Sequence, residues 1–134
     1  MRYPLSFYWA TGVGEGHAAS TRLCFIFIRP DKKGDEGLYQ HELTHVKQWA
    51  FVTLVAGLFI ALFDPMWSGL AISVFGMLYT AFPDIRLMAE VQAYKKQLKY
   101  YPDDRTAKFA GYIFKHYGLD TPYLEIERLL KAKQ

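Results

Sequence analysis

The stretch YQHELTHVKQ, running from Tyr39 to Gln48, decides how this chain is read. Residues four apart lie on one face of a helix, so His41 and His45 can aim ring nitrogens at a common point. A tetrahedral zinc needs two of its ligands placed in that way, at roughly 2.0–2.1 Å each. Glu42 stands one step round the helix, beside such a metal and not on it. From there a carboxylate can accept a proton from a metal-activated water and return it to a leaving amine. Average residue frequencies put the chance occurrence of the pattern at on the order of one in several hundred chains of this length. The alternative is two ordinary histidines beside a glutamate. Against it stands the setting: the motif follows a strand and a loop and opens a long helix.

The surroundings read outward from this helix. Upstream, LSFYW (5–9) and RLCFIFI (22–28) are apolar, β-branched or aromatic runs expected as strands, the second ended by Arg29-Pro30. TGVGEGH (11–17) and DKKGDEG (31–37) are expected as loops. The helix carrying HELTH starts near Leu38 and meets no breaker before Asp64-Pro65, a run of about 25 residues. Its distal part, WAFVTLVAGLFIALF (49–63), is apolar except for Thr53. Asp64-Pro65 makes a tight connection to a second apolar segment, MWSGLAISVFGMLYTAF (66–82), which Pro83-Asp84 closes. A helix is expected over about 85–100. Another starts with Asp103 or Asp104 as N-cap and ends at Tyr117 before Gly118. The last opens at Thr121 as N-cap, with Pro122 in its first turn. The expected fold is one domain over residues 1–134, mainly α with a small β element (α+β), built around a long apolar helical hairpin at 49–82.

A catalytic zinc keeps three protein ligands and one open position. The third ligand has to come from outside the motif, and the candidates are His17, His116, Asp64, Asp84 and Glu90. Glu90 is preferred. It lies on the 85–100 helix, after a hairpin that can bring the chain back antiparallel to the HELTH helix. Leu87, Val91 and Leu98 give that helix an inward stripe with Glu90 near its edge. A carboxylate at a partly apolar position needs a partner, and a metal supplies one. The competing reading pairs Glu90 with Lys95 or Arg86 in solvent. His116, near a helix end, also suits the helix dipole without any metal.

With these residues in view, His41-Glu42-Leu43-Thr44-His45 followed by Glu90 resembles the gluzincin side of the zinc metallopeptidases. AEVQAY (89–94) and the intervening apolar helices resemble small HExxH proteins of bacterial and phage genomes, a likeness spanning roughly residues 22–100. The resemblance implies a minimal zincin-like fold, bound Zn2+ and a peptide or protein substrate. It also implies a strand beside the HELTH helix that pairs with extended substrate, a role RLCFIFI could fill. One place departs from the pattern: many gluzincins carry an Asp four residues after the third ligand, and here that residue is Tyr94. Tyr94 is expected to act in catalysis by a hydrogen bond behind the ligands or by holding an oxyanion.

Composition narrows the rest. With 51% hydrophobic and 17% aromatic residues the chain is not disordered. Its net charge of +3 comes without any Lys/Arg block, so nucleic acid is not an expected partner. Cys24 is alone and expected to be a buried reduced thiol, in keeping with a reducing compartment. Arg2 gives a positive start, but the proline and glycines that follow do not make a secretory signal, so the expected location is cytoplasmic or membrane-associated. Apolar segments of 15 and 17 residues fall short of the ~20 that span a bilayer comfortably. The hairpin is therefore core, membrane-contacting or a subunit interface, with small residues such as Gly57, Gly69, Ala71 and Gly76 permitting close helix approach. Two further readings differ in class: a zinc-stabilised structural or assembly protein without turnover, and a small membrane protein with a coincidental HExxH.

Overall fold

A computed structural model of the chain describes residues 3–9, 13 and 16–132. Arg2 and four residues of the expected glycine-rich loop, Thr11, Gly12, Gly14 and Glu15, lie outside that range. The fold is mainly α with a small β element, as composition and periodicity suggested. Three short strands, β1 (Ser6–Tyr8), β2 (Ala19–Arg22) and β3 (Phe25–Ile28), precede five helices. These are α1 (Glu36–Ala61), α2 (Ala71–Ala81), α3 (Pro83–Leu98), α4 (Thr106–His116) and α5 (Tyr123–Lys131).

The sheet runs in the order β1-β3-β2, with β1 parallel and β2 antiparallel to the central β3. RLCFIFI is thus not one strand. Arg22 closes β2 and pairs with Phe25, and the chain reverses through Leu23-Cys24 between them. Leu23 sits at φ 55, a left-handed conformation that costs an L-residue about 1–2 kcal/mol. Such two-residue turns usually announce themselves with Gly or Asn, and a leucine there leaves no signal. The strand ASTR is equally silent, having no apolar alternation. Cys24 is consequently half-buried in a turn and not a core thiol. Along β3 the two-residue period holds: Ile26 and Ile28 are fully buried against Tyr39 and Val46 of α1, while Phe25 and Phe27 face Phe7 on the other side.

Helix α1 begins where Asp35 accepts a hydrogen bond from the Leu38 amide at 2.9 Å. Its buried residues, Gly37, Tyr39, His41, Glu42 and Val46, all fall in its first three turns. These turns lie under the sheet and against α3. Beyond Trp49 the helix leaves the protein body, and Phe51, Leu54, Val55, Leu58 and Phe59 are exposed. By length and composition α1 could cross a membrane, yet only 6% of its most apolar 18-residue stretch is buried. It is therefore no core helix along that half. The chain turns at Asp64 and returns as a 3₁₀ turn (Pro65–Leu70) and then α2, so the expected second apolar helix is α-helical only from Ala71. The two arms meet at Gly57, where a Cβ would stand in ordinary contact with Ala71 at 3.5 Å.

At Phe82-Pro83 the chain bends by 101° into α3. Helices α3, α4 and α5 share a second core made of Leu87, Val91, Phe109, Ile113, Ile126 and their neighbours. Helix α4 has Arg105 in its capping position, so neither expected cap, Asp103 or Asp104, holds it, although Asp104 accepts from the Thr106 amide at 2.9 Å. Helix α5 starts at Tyr123 with Pro122 as its capping residue, one position beyond the expected Thr121 cap.

The C-terminal end of α3 is pinned to the start of α1. The Tyr101 hydroxyl donates to Asp35 at 2.7 Å and receives a hydrogen bond from Gln97 at 3.0 Å. Gly37 makes room for that ring, since a Cβ there would stand 2.8 Å from Tyr101 Cζ. Gly37→Ala should displace the phenol, break one or both hydrogen bonds and cost about 1–3 kcal/mol in a denaturant titration. An unchanged midpoint would show that the clamp contributes nothing.

Candidate metal centre

The first turns of α1 and the middle of α3 face one another between the two cores, and they bring His41, His45 and Glu90 together. The ligand atoms of these three residues all lie within 4.8 Å of one another. The two imidazole Nε2 atoms are 3.2 Å apart. His45 Nε2 lies 3.3 Å from Glu90 Oε1, and His41 Nε2 lies 3.5 Å from Glu90 Oε2. Ligands held ~2.1 Å from one tetrahedral ion are separated by about 3.4 Å, so the spacing fits a single small cation.

Glu90 is only 2% exposed, so it is not at the edge of its helix but fully inside. Neither Arg86 nor Lys95 neutralises it: Arg86 spends its guanidinium on the carbonyls of Tyr117 and Thr80. Burial alone would raise the Glu90 carboxyl, but the adjoining imidazoles of His45 and His41 outweigh it and hold the group well below the usual carboxylate range. Burial likewise would lower His45, and the Glu90 charge with its hydrogen bond instead lifts it to about 9. Without a metal, a proton between imidazole and carboxylate does the neutralising. Among the described residues Glu90 Oε2 and His41 Nδ1 still find no hydrogen-bond partner. A buried carboxylate oxygen without a hydrogen bond, 3.5 Å from the His41 Nε2, is what a cation would complete.

Gln48, not singled out from the sequence, fixes the His45 ring. Its amide nitrogen donates to the Ala89 carbonyl at 3.1 Å, and a carbonyl can only accept. The other end of the amide, Oε1, therefore faces His45 Nδ1 at 2.9 Å and accepts its proton. Nε2 is then the nitrogen that faces the ligand cluster and would give its lone pair to a bound cation in place of its proton. The helical spacing from His45 to Gln48 was the available signal, but its partner on α3 could not be read.

Glu42 is 5% exposed and lies outside the ligand group, as its position on the helix requires. Thr21 of β2 holds it, donating to Glu42 Oε2 at 2.7 Å, with the Glu42 carbonyl 3.1 Å from the same hydroxyl. Both line a cavity of about 430 Å³, together with the three ligand residues. From the hairpin the cavity takes Trp49, Phe75, Tyr79 and Thr80, and from the sheet Ala19 to Leu23 along β2. Tyr79 donates to Glu90 Oε1 at 2.5 Å. No reading of the sequence marked it, although it is the one phenol of the 66–82 segment.

Tyr94 occupies a different place. Its ring meets His41 edge-on at 4.3 Å and packs on Phe109 at 4.8 Å, and it lines a smaller cavity of about 180 Å³. Burial, with the Glu90 charge adding to it, pushes its phenol well above the ordinary range, and its hydroxyl bonds to Tyr117. In the structure Tyr94 steadies the His41 ring, and the phenol beside Glu90 is Tyr79. The remaining candidates stand outside the ligand group. His17 lines the larger cavity and meets Tyr112 at 3.1 Å, and His116 bonds to the Tyr112 carbonyl of its own helix at 3.1 Å. Asp64 caps the 3₁₀ turn, and Asp84 lies in the first turn of α3.

Elemental analysis of purified protein should find about one divalent ion per chain, and Glu90→Ala should reduce that content at least about tenfold. Gln48→Leu, with every ligand intact, should weaken metal affinity by about 10–100-fold in a chelator competition. Equal affinity in that variant would remove Gln48 from the site.

No family model, curated protein or solved structure matches this chain.

Proposed function

We propose that the protein is a zinc-dependent metallopeptidase of gluzincin type, hydrolysing a peptide bond in the cavity between α1, α3 and β2. The observation that carries this reading is the convergence of His41, His45 and Glu90 with a carboxylate, Glu42, beside them but outside the ligand set. A largely buried His/His/Glu cluster suits zinc, which accepts two imidazoles and a carboxylate and leaves a position open. When bound, the ion polarises a carbonyl and brings the pKa of water down towards ~7.

The chain's own residues would do the rest. Glu42 takes the proton from the attacking water and delivers it to the amine as the peptide bond breaks. Thr21 holds that carboxylate by one oxygen, which limits its swing to the side facing the ligands. β2 is the terminal strand of the sheet and runs along the cavity past Glu42. Strand addition there would lay an extended polypeptide across the site, so the pairing strand is β2 and not the central β3. Tyr79 and Tyr94 act as positioning residues, the first through Glu90 and the second through His41.

Glu42→Gln keeps the shape and removes the base. It should retain one zinc per chain and lose about 10²–10⁴-fold in kcat on a peptide library that the wild type cleaves. Wild-type protein that holds zinc and cleaves nothing in such a library would instead indicate a metal-stabilised scaffold.

A further inference from the structure

We propose that the hairpin made by the distal half of α1, the 3₁₀ turn and α2 inserts into one leaflet of a lipid bilayer. Between Lys47 and Asp84 the only charged residue is Asp64. Exposed apolar side chains stand on opposite sides of the hairpin, Phe51 and Leu58 on one arm and Ile72 and Met77 on the other. Its tip is apolar as well, with Leu62 and Phe63 81% and 79% exposed. A single isologous contact with a second copy covers one side of such a hairpin. Two opposite sides and an end are covered by a medium.

The polar groups of the hairpin point the same way. Hydrocarbon offers backbone groups no partner, so an inserted turn has to satisfy its own. At the tip the amides of Leu62, Phe63, Asp64 and Trp67 all donate to carbonyls within the hairpin, and the Met66 amide donates to the Asp64 side chain. Ser68, Ser73 and Thr80 turn their hydroxyls back onto carbonyls three or four residues earlier, and the buried Thr53 hydroxyl is the exception, without a partner among the described residues. The Trp49 indole donates to the Ile72 carbonyl, tying the arms together.

Length sets the depth. Ala50 to Ala61 rises about 18 Å, against ~15 Å for one leaflet of a ~30 Å hydrocarbon layer. The earlier turns of α1 are occupied by the sheet and α3, so the hairpin enters the bilayer without crossing it. Trp49, Phe75, Tyr79 and Thr80 at its base also line the larger cavity, which puts the candidate metal centre at the membrane surface. The inference goes beyond the hydrolytic reading and holds with or without it.

Flotation of the full chain with phosphatidylcholine vesicles tests the proposal. The wild type should float with the vesicles at low and at high salt, because no cationic patch is involved. A Leu62→Glu/Phe63→Glu double variant should lower the vesicle-bound fraction at least about tenfold, since charges are costly in hydrocarbon. Those side chains are exposed, so its circular dichroism should match the wild type. Asp64→Asn removes the one opposing charge and keeps an acceptor for the Met66 amide; it should strengthen binding several-fold. Vesicles of brominated phosphatidylcholine should quench a fluorescence component that Trp67→Phe removes. A wild type that stays in the aqueous phase as a stable monomer or dimer would overturn the proposal. So would vesicle binding that the double glutamate variant leaves intact.

Discussion

The structure turns on one buried carboxylate. Glu90 sits at 2% exposure between two imidazoles, and among the described residues no lysine or arginine pairs with it. An ionised carboxylate in that position is untenable unless protons or a cation answer it. Everything near it is arranged for that answer: His41 and His45 from one helix, a tyrosine hydroxyl on one carboxylate oxygen, and a second oxygen left open. The α1–α3 contact cannot be understood as packing alone. It brings the site together, and a cation bound there would lend the same contact its own free energy.

That contact is fastened on both sides of the ligands. Tyr101 lies over Gly37 and bonds to Asp35, which simultaneously caps α1. About three turns further along, Gln48 joins the Ala89 carbonyl to the His45 ring. The ligands lie between these two ties, so small rotations of α3 would be resisted at each end. Tyr94 adds a third restraint by closing the space behind His41. A site held this way is preorganised, and little is left for a ligand to rearrange.

Helix α1 serves two environments within 26 residues. Its first turns carry polar and ligand residues into the protein, and its later turns carry apolar residues out of it. The reversal separates the chemistry from the interface while keeping both on one rigid rod. Tyr79 links them, because it belongs to the apolar hairpin and bonds to Glu90. A displacement of α2 would therefore be felt at the ligand cluster through a single short hydrogen bond.

The sequence alone determined the helical class, the HELTH helix and the breaks at Asp64-Pro65 and Pro83, because these depend on local periodicity and on proline. It also marked Glu90, since a carboxylate among Leu87 and Val91 is a local anomaly. It could not determine that β2 is the edge strand, because ASTR carries no alternation and the turn at Leu23 has no glycine. Thr21, Gln48 and Tyr79 owe their roles to partners 21, 41 and 11 residues away. Whether the 49–82 segments form a core was likewise open until the surrounding elements were in place. Their composition is that of buried helices, but the helices that could have covered them are committed to α3 and the second core. Local patterns report what a residue prefers; only the packed chain decides which distant atoms meet it and how many neighbours are left over.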